Sequence, residues 1–150
     1  MSISNGIPFS ALDLPPELAR AIEEMGFETA TDIQSRSIPL IRAGYDVIGR
    51  AQTVTGKTLA FGIPALEKVD IEANARSQVQ VLVLCPTREL AVQACEELRK
   101  LARHMHGIHP VEVYGGAPMD RQILRLKKAN VVVGTPGRIM DHMRRRTLRL

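Results

Sequence analysis

Aromatic residues and cysteines are scarce in this sequence of 150 residues. It contains no Trp, two Tyr and three Phe, so a packed core must be built from Val, Ile, Leu, Ala and Met. The two cysteines, Cys85 and Cys95, stand ten residues apart without the paired spacing of a zinc site or a disulfide framework. We therefore expect free thiols and a cytoplasmic location, because disulfides are rare in reducing compartments.

Long apolar runs are missing as well. None approaches the roughly 18 residues that a membrane-spanning helix needs, and Met1–Ser10 shows neither the basic start nor the apolar stretch of a secretory signal. We expect no membrane partner. Hydrophobic residues make up 45% of the chain, and 20 Lys and Arg against 16 Asp and Glu give a net charge of +4. This mildly basic balance permits a nucleic-acid partner without requiring one.

Helix and strand signals alternate along the chain. Apolar spacing and capping residues predict helices at 17–25, 31–37, 39–44, 59–69, 88–106, 119–127 and 136–145, and strands at 46–49, 79–85, 111–114 and 130–134. The run at 79–85, VQVLVLC, is typical of a strand that is covered on both faces. The alternation predicts an α/β fold with an open parallel sheet and helices on both faces.

Residues 51–58, AQTVTGKT, lie between a predicted strand and a predicted helix. They match the phosphate-binding pattern of Ala or Gly, four further residues, and then Gly-Lys-Thr. In that pattern the lysine, here Lys57, reaches the β- and γ-phosphates, and the threonine, here Thr58, ligates Mg²⁺. Gly56 lets the backbone approach the ligand closely. The alternative, an ordinary loop between strand and helix, leaves the Gly-Lys-Thr triplet unexplained.

Four further motifs flank this segment. GFETATDIQ at 26–34 is similar to the Q motif GFxxPTxIQ, and Phe9 is the aromatic residue 17 positions before its glycine. PTRELA follows at 86–91, GG at 115–116 and TPGR at 135–138. With these motifs in order, the sequence resembles the DEAD-box ATP-dependent RNA helicases from Phe9 to Arg149. The resemblance implies an incomplete N-terminal RecA-like domain, with a Q-motif region at 1–45 and a P-loop core of sheet and helices at 46–150.

The resemblance also implies an adenine nucleotide site that uses ATP and Mg²⁺. The amide of Gln34 offers a donor and an acceptor, which suit adenine N7 and N6 together and which guanine does not match. Phe27 is expected to pack on the adenine face. The implied catalytic residues are Lys57 and Thr58, with Thr58 also on the metal. The implied nucleotide-binding residues are Phe9, Phe27, Thr29, Gln34, Gln52, Thr53, Val54, Thr55, Gly56, Lys57, Thr58 and Leu59.

A second set of residues is implied to hold the sugar–phosphate backbone of RNA without reading its sequence. Arginine gives paired contacts to phosphate, and glycine pairs and helix N-termini present N–H groups. The triple arginine at 144–146 is instead interpreted as a solvated helix end. The implied RNA-binding residues are Pro86, Thr87, Arg88, Gly115, Gly116, Gln122, Thr135, Pro136, Gly137 and Arg138.

The sequence departs from the family pattern in three respects. Val54 stands where the family has glycine, at a cost of about 1–3 kcal/mol if that position needs a glycine-only backbone. Ala30 replaces the usual proline. The third departure is that no Asp-Glu-Ala-Asp tetrapeptide is present. We expect one within a dozen or so residues beyond Leu150, and a second RecA-like domain in the whole protein.

Expectations about activity and about self-association follow from the resemblance and from the departures. The whole protein is expected to hydrolyse ATP and to unwind short RNA duplexes, whereas this chain alone is expected to be inactive. An unpaired sheet edge is expected to make the chain aggregate or form a homodimer. Two alternatives stay open: another phosphate-loop enzyme, such as a small-molecule kinase, and a non-catalytic module that binds nucleotide or RNA.

Overall fold

The computed structural model describes residues 6–51, 54–72 and 79–150, and of Val54 and Thr55 only the backbone. A short 3₁₀ helix, Phe9–Leu12, is followed by α1 (Pro16–Glu24), α2 (Asp32–Arg42) and α3 (Val54–Glu67). After these come β1 (Val81–Leu84), α4 (Arg88–Leu101), β2 (Pro110–Val113), α5 (Met119–Leu126), β3 (Val131–Gly134) and α6 (Pro136–Arg144). The chain divides into two compact units: the first comprises Met1–Lys68 and Lys100–Met105, the second Val69–Arg99 and His106–Leu150.

Helices α2 and α3 pack against each other in the first unit. Thr31 begins α2 with a capping box: its hydroxyl accepts from Gln34 N, and the Gln34 side chain accepts from Thr31 N. The fully buried side chains of this unit are aliphatic, as the shortage of aromatic residues requires. They include Leu18, Ile22, Ile38, Leu59, Ile63 and Leu66.

Three parallel strands form the sheet of the second unit, in the order β1–β3–β2. Strand β3 lies in the centre and all four of its residues are buried. Gly134 ends β3 where a Cβ atom would come within 2.7 Å of Val113 and Ile139 atoms, so only glycine lets β2 and α6 approach this closely. The predicted parallel sheet with surrounding helices is confirmed. The core beneath it contains Val111, Val113, Leu126, Ala129, Val132, Ile139 and Leu148.

The prediction of two separate helices at 31–37 and 39–44 is wrong. A single helix, α2, runs through Pro39. An interior proline removes one backbone hydrogen bond and costs about 3 kcal/mol in an isolated helix. Here Ser37 and Ile38, next to it, are buried. The packing of this helix face therefore outweighs the local preference of proline.

The predicted strand at 46–49 is also wrong, because the structure has no regular element there. Ile48 is 99% exposed, and among the described residues no strand pairs with this segment. An extended segment becomes a strand only when a neighbour takes up its backbone hydrogen bonds. In addition, α3 begins at Val54 rather than at the predicted Leu59, because a helix tolerates glycine and threonine in its first turn.

Two further predictions in the second unit need correction. Strand β1 was expected to be covered on both faces, but it is only partly buried and Leu84 is 56% exposed. The reason is its position, since β1 lies at the edge of the described sheet and β3 at its centre. The second correction concerns the end of α4, which lies at Leu101 rather than at the predicted His106. The residues at 103–106, Arg-His-Met-His, do not continue the apolar face that buries Leu98 and Leu101.

Candidate functional site

The segment around Phe9 lies against the start of the Q motif in the first unit. Pro8 and Thr29 form an isolated antiparallel bridge. Phe9 N donates to Glu28 O at 3.1 Å, and Ala30 N donates to Ile7 O at 2.8 Å. Phe9 is buried, whereas Phe27 is half-buried and Thr29 is exposed. Both phenylalanines line a groove of about 570 Å³.

Gln34 connects two motifs that are distant in sequence. Its Oε1 accepts from Thr31 N at 2.8 Å, and its Nε2 donates to Gly56 O at 3.3 Å. The side chain is 2% exposed. A glutamine amide has two N–H donors and two acceptor lone pairs, so each contact uses one of two. Among the described residues, no other group takes the second donor and the second acceptor, which are the two groups that adenine would require.

The phosphate-binding segment coincides with the start of α3. Gly56 and Thr58 are buried, Leu59 is fully buried, and Lys57 is exposed. The predicted site residues Gln52 and Thr53 lie outside the described residues, and of Val54 and Thr55 only the backbone, at the start of α3, is described. The first N–H groups of a helix lack partners within that helix and favour anions. A pocket of about 380 Å³ opens here, lined by Thr31, Asp32, Ile33, Arg36, Arg50, Ala51 and Gly56.

An ion pair holds α2 and α3 together at their C-terminal ends. Arg42 Nη2 lies 2.7 Å from Glu67 Oε1, and Arg42 Nε lies 2.9 Å from Glu67 Oε2. The same guanidinium donates to the Leu12 carbonyl. This paired geometry is the strong form of a charge-assisted hydrogen bond. Arg42 and Glu67 thus hold the Gln34 helix on the Lys57 helix, and no motif in the sequence predicted this role.

In the second unit, three predicted RNA-binding segments follow directly after three strands. Residues 86–88 follow β1, residues 115–116 follow β2, and residues 135–138 follow β3. Since the strands are parallel, these segments meet at the carboxyl edge of the sheet, where open α/β sheets bind ligands. The structure therefore brings together residues that are up to about 50 positions apart in the sequence.

Arg88 begins α4 at this edge. Thr87 Oγ1 accepts from Leu90 N at 3.2 Å and so caps the helix. Pro86, Thr87 and Arg88 are all exposed. The Arg88 guanidinium lies 4.6 Å from the centre of the Tyr114 ring, a cation–π contact that directs the arginine toward the turn after β2.

The turn after β2 contains the glycine pair. Gly115 and Gly116 are exposed, and Gly116 has a φ of +87°, which side chains disfavour. Behind this turn, Gln122 is 4% exposed, and its Nε2 donates to Tyr114 O at 2.9 Å. Gln122 therefore lies beneath the turn, whereas the glycines lie on its outer side.

The segment after β3 opens α6. Thr135 N donates to Val113 O at 3.1 Å, Pro136 occupies the first helical position, and Gly137 is exposed. Arg138 is half-buried. Its Nη1 donates to Ala117 O at 3.1 Å and to Gln122 Oε1 at 3.2 Å. Arg138 is thus anchored to the turn that carries the glycine pair.

His142 completes this network and was missed in the sequence analysis. It is fully buried, with Nε2 2.9 Å from Gln122 Oε1 and Nδ1 2.8 Å from Thr147 Oγ1. Burial, with the nearby charge of Arg138, lowers the pKa of His142, so the neutral ring is favoured. A histidine within a helix carries no sequence signal that separates this role from an ordinary surface position.

The two cysteines are unsuited to nucleophilic chemistry. Both are free and buried. Burial, and then the Glu112 carboxylate that accepts from its thiol, raises the pKa of Cys95 to about 12. Burial also raises the pKa of Cys85. Because the thiolate is the reactive form, neither cysteine belongs to the candidate site.

The family model for DEAD/DEAH box helicases matches residues 31–150. The chain belongs to the DEAD/DEAH box helicase family. It is 51% identical over 143 residues to the ATP-dependent RNA helicase CshA of Listeria monocytogenes, covering 95% of this chain and 27% of that protein. It is 53% identical over 143 residues to the DEAD-box ATP-dependent RNA helicase CshA of Geobacillus kaustophilus, covering 95% and 30%. The chain thus spans less than a third of the length of these relatives.

Solved structures support the same family assignment. A DEAD box protein from Methanococcus jannaschii superposes with a TM-score of 0.86 at 41% identity, covering 96% of this chain and 39% of that one. A hypothetical ATP-dependent RNA helicase from Sulfolobus tokodaii gives 0.76 at 38% identity, covering 90% and 38%. Within the described parts of the chain, no helix combines the length and apolarity that a bilayer crossing demands.

Proposed function

We propose that the first unit binds an adenine nucleotide and that the second binds the RNA backbone, as parts of an ATP-dependent RNA helicase. The observation that carries the nucleotide assignment is the hydrogen bond of Gln34 to Gly56, which joins the Q motif to the phosphate-binding segment. The relatives named above are ATP-dependent RNA helicases. Adenine would take the remaining donor and acceptor of Gln34, and Phe9, Phe27 and Thr29 are assigned to the same nucleotide site.

The phosphates are assigned to the start of α3. Lys57 is exposed there and supplies the positive charge. The assignment includes the segment 52–55 and Leu59, which fixes the helix in the core. Magnesium prefers oxygen ligands, and the hydroxyl of Thr58 is of that kind. Thr58 would thus be the ligand that this chain provides to the metal beside the phosphates.

The RNA backbone is assigned to the carboxyl edge of the second unit. Arg88 and Arg138 would pair with phosphates, and the N–H groups after β2 and at the start of α6 would take further oxygens. Binding would be independent of sequence, since phosphate and sugar carry no base identity. The whole protein would unwind short duplexes with the help of a second RecA-like domain. Free Cys85 and Cys95 support a cytoplasmic location.

Calorimetry on this chain tests the nucleotide assignment. ADP should bind and GDP should bind at least about tenfold more weakly, a difference of about 1.4 kcal/mol. Gln34→Ala should reduce the preference for ADP over GDP. Lys57→Ala should weaken the binding of ADP and leave that preference intact. Equal affinities for ADP and GDP in the unaltered chain would contradict the assignment.

Fluorescence anisotropy with labelled oligouridylate tests the RNA assignment. Arg138→Ala should weaken binding about tenfold, in line with the loss of a charge-assisted contact. Arg144→Ala is the matched control, because Arg144 is exposed at the end of α6 and is interpreted as solvated. Equal losses in the two variants would indicate unspecific attraction to positive charge.

We further propose that the 150-residue chain binds ATP without hydrolysing it, which makes it on its own a non-catalytic module. Phosphoryl transfer needs an oriented water and a transition-state cation besides the groups that hold the phosphates. Of these parts, only Lys57 and Thr58 are assigned here. Phosphate release above the buffer background, measured with RNA present, would overturn this proposal.

A further inference from the structure

A buried polar network lies beneath the three segments of the sheet edge. Gln122 is at its centre, bonded to Tyr114 O at 2.9 Å, to Arg138 Nη1 at 3.2 Å and to His142 Nε2 at 2.9 Å. His142 is bonded in turn to Thr147 at 2.8 Å. The network therefore connects the turn after β2 with both ends of α6.

The chemistry of the partners determines the orientation of the Gln122 amide. Tyr114 O is a carbonyl oxygen that only accepts, so the end of the amide that faces it must be the NH₂ group. The oxygen then faces Arg138 and His142, both of which must donate to it. His142 consequently carries its proton on Nε2. In the neutral ring Nδ1 then accepts from the Thr147 hydroxyl at 2.8 Å, and the single proton of that hydroxyl is directed to Nδ1 and not to the His142 carbonyl at 3.1 Å.

This arrangement leaves Gln122 little capacity for a ligand. Two donors occupy the lone pairs of Oε1, one of the two N–H groups of Nε2 is bonded, and the side chain is 4% exposed. Arg138 is different. Its anchoring uses Nη1, and no described residue takes the N–H groups of Nε and Nη2. These groups are the ones suited to a phosphate.

We propose that Gln122 and His142 are positioning residues for RNA binding, which hold Arg138 and the glycine-pair turn in one fixed arrangement. Gln122 then acts through Arg138 and not by touching RNA. His142 acts one step further away, by supplying the N–H that keeps the amide oxygen in place. The inference rests on the proposed RNA function of this edge.

The test compares Gln122→Leu, His142→Leu and Arg138→Ala by oligouridylate binding between about 50 and 200 mM salt. Each variant should bind about tenfold more weakly and should lower the salt slope by about 0.7, the value of one phosphate contact to a single strand. Gln122→Leu combined with Arg138→Ala should be no weaker than Arg138→Ala alone. His142→Gln, which retains a donor near the Nε2 position, should bind within about twofold of the unaltered chain.

A purely structural role predicts a different result. If Gln122→Leu lowers the melting temperature but leaves the salt slope unchanged, Gln122 does not position a phosphate contact and the inference is wrong. It is also wrong if the losses of Gln122→Leu and Arg138→Ala add in the double variant. If the unaltered chain fails to bind RNA, the proposed function itself fails, and with it the inference. The two failures are therefore distinguishable.

Nitrogen-15 NMR on the unaltered chain tests the arrangement without any substitution, in case a variant does not fold. The guanidinium of Arg138 should rotate slowly enough to give separate Nη1 and Nη2 signals before RNA is added. The ring of His142 should show a protonated Nε2 and an unprotonated Nδ1. Averaged Arg138 signals or the opposite tautomer would overturn the proposed positioning.

Discussion

Replacing Gln34 by glutamate separates its two contacts. The substitution keeps the shape of the side chain and the oxygen that accepts from Thr31 N, and glutamate is itself common at this position of a capping box. It removes the N–H group that reaches Gly56 O at 3.3 Å and sets a carboxylate oxygen against that carbonyl. Gln34→Glu therefore tests the connection between the two motifs while it leaves the start of α2 intact.

The magnitude follows from burial. The carboxylate oxygen that replaces the amide N–H is buried against the Gly56 carbonyl without a hydrogen bond, and an unsatisfied buried polar atom costs about 1–3 kcal/mol. The added negative charge at the start of α2 interacts favourably with the helix dipole, which offsets about 0.3–1 kcal/mol of this cost. At about pH 8 we expect Gln34→Glu to lower the free energy of unfolding by about 1–2 kcal/mol. ADP should bind at least about tenfold more weakly, because a carboxylate has no donor for adenine N7.

Acidification should reverse the effect. Burial beside a carbonyl raises the pKa of the introduced carboxyl above its value in the unfolded chain, because the neutral form can donate to Gly56 O. The folded variant then binds more protons than the unfolded one, so its stability falls as pH rises through this range. Groups that titrate in both proteins cancel in the difference. The deficit should therefore be present at about pH 8 and shrink toward about pH 5.

Urea unfolding at both pH values measures the deficit, and calorimetry with ADP measures the binding loss. Gln93→Glu is the matched control, since it makes the same charge change at an exposed position on α4. A deficit of the same size in the control, or one that grows on acidification, would refute the reasoning.

Three further outcomes are expected. Val54→Gly should raise ADP and ATP affinity by about tenfold or more and AMP affinity less, because glycine lets the start of α3 adopt the phosphate-wrapping shape; equal affinities in the two proteins would contradict this. Light scattering should show self-association of the chain through the β1 edge, where Leu84 is exposed. Leu84→Lys should reduce this self-association, because a charge on an edge strand disfavours pairing. A clean monomer at high concentration would exclude self-association through this edge. Cys95, with a pKa of about 12, should resist maleimide at about pH 8 until the chain is unfolded; rapid labelling of the folded chain would show that it is accessible.

The sequence by itself determined the elements whose signals are local. The apolar runs at 79–85, 111–114 and 130–134 located the three strands of the described residues, because their β-branched side chains favour extended backbone. Thr31 and Gly26 marked a helix start and a helix end correctly, since capping depends on adjacent residues. The motifs could also be identified from the sequence, because each is a short run of neighbouring residues.

Tertiary structure decided what depends on partners distant in the chain. The segment 46–49 has strand-like residues but no regular structure, since a strand needs a neighbour. Proline failed to end α2 because packing of the adjacent residues outweighs its local cost. The family resemblance alone predicted that Gln122 binds RNA. Its burial depends on hydrogen bonds to Tyr114, Arg138 and His142, which only the folded chain shows. Hydrogen bonds between residues eight to twenty positions apart leave no periodic trace in a sequence, so only the folded chain reveals them.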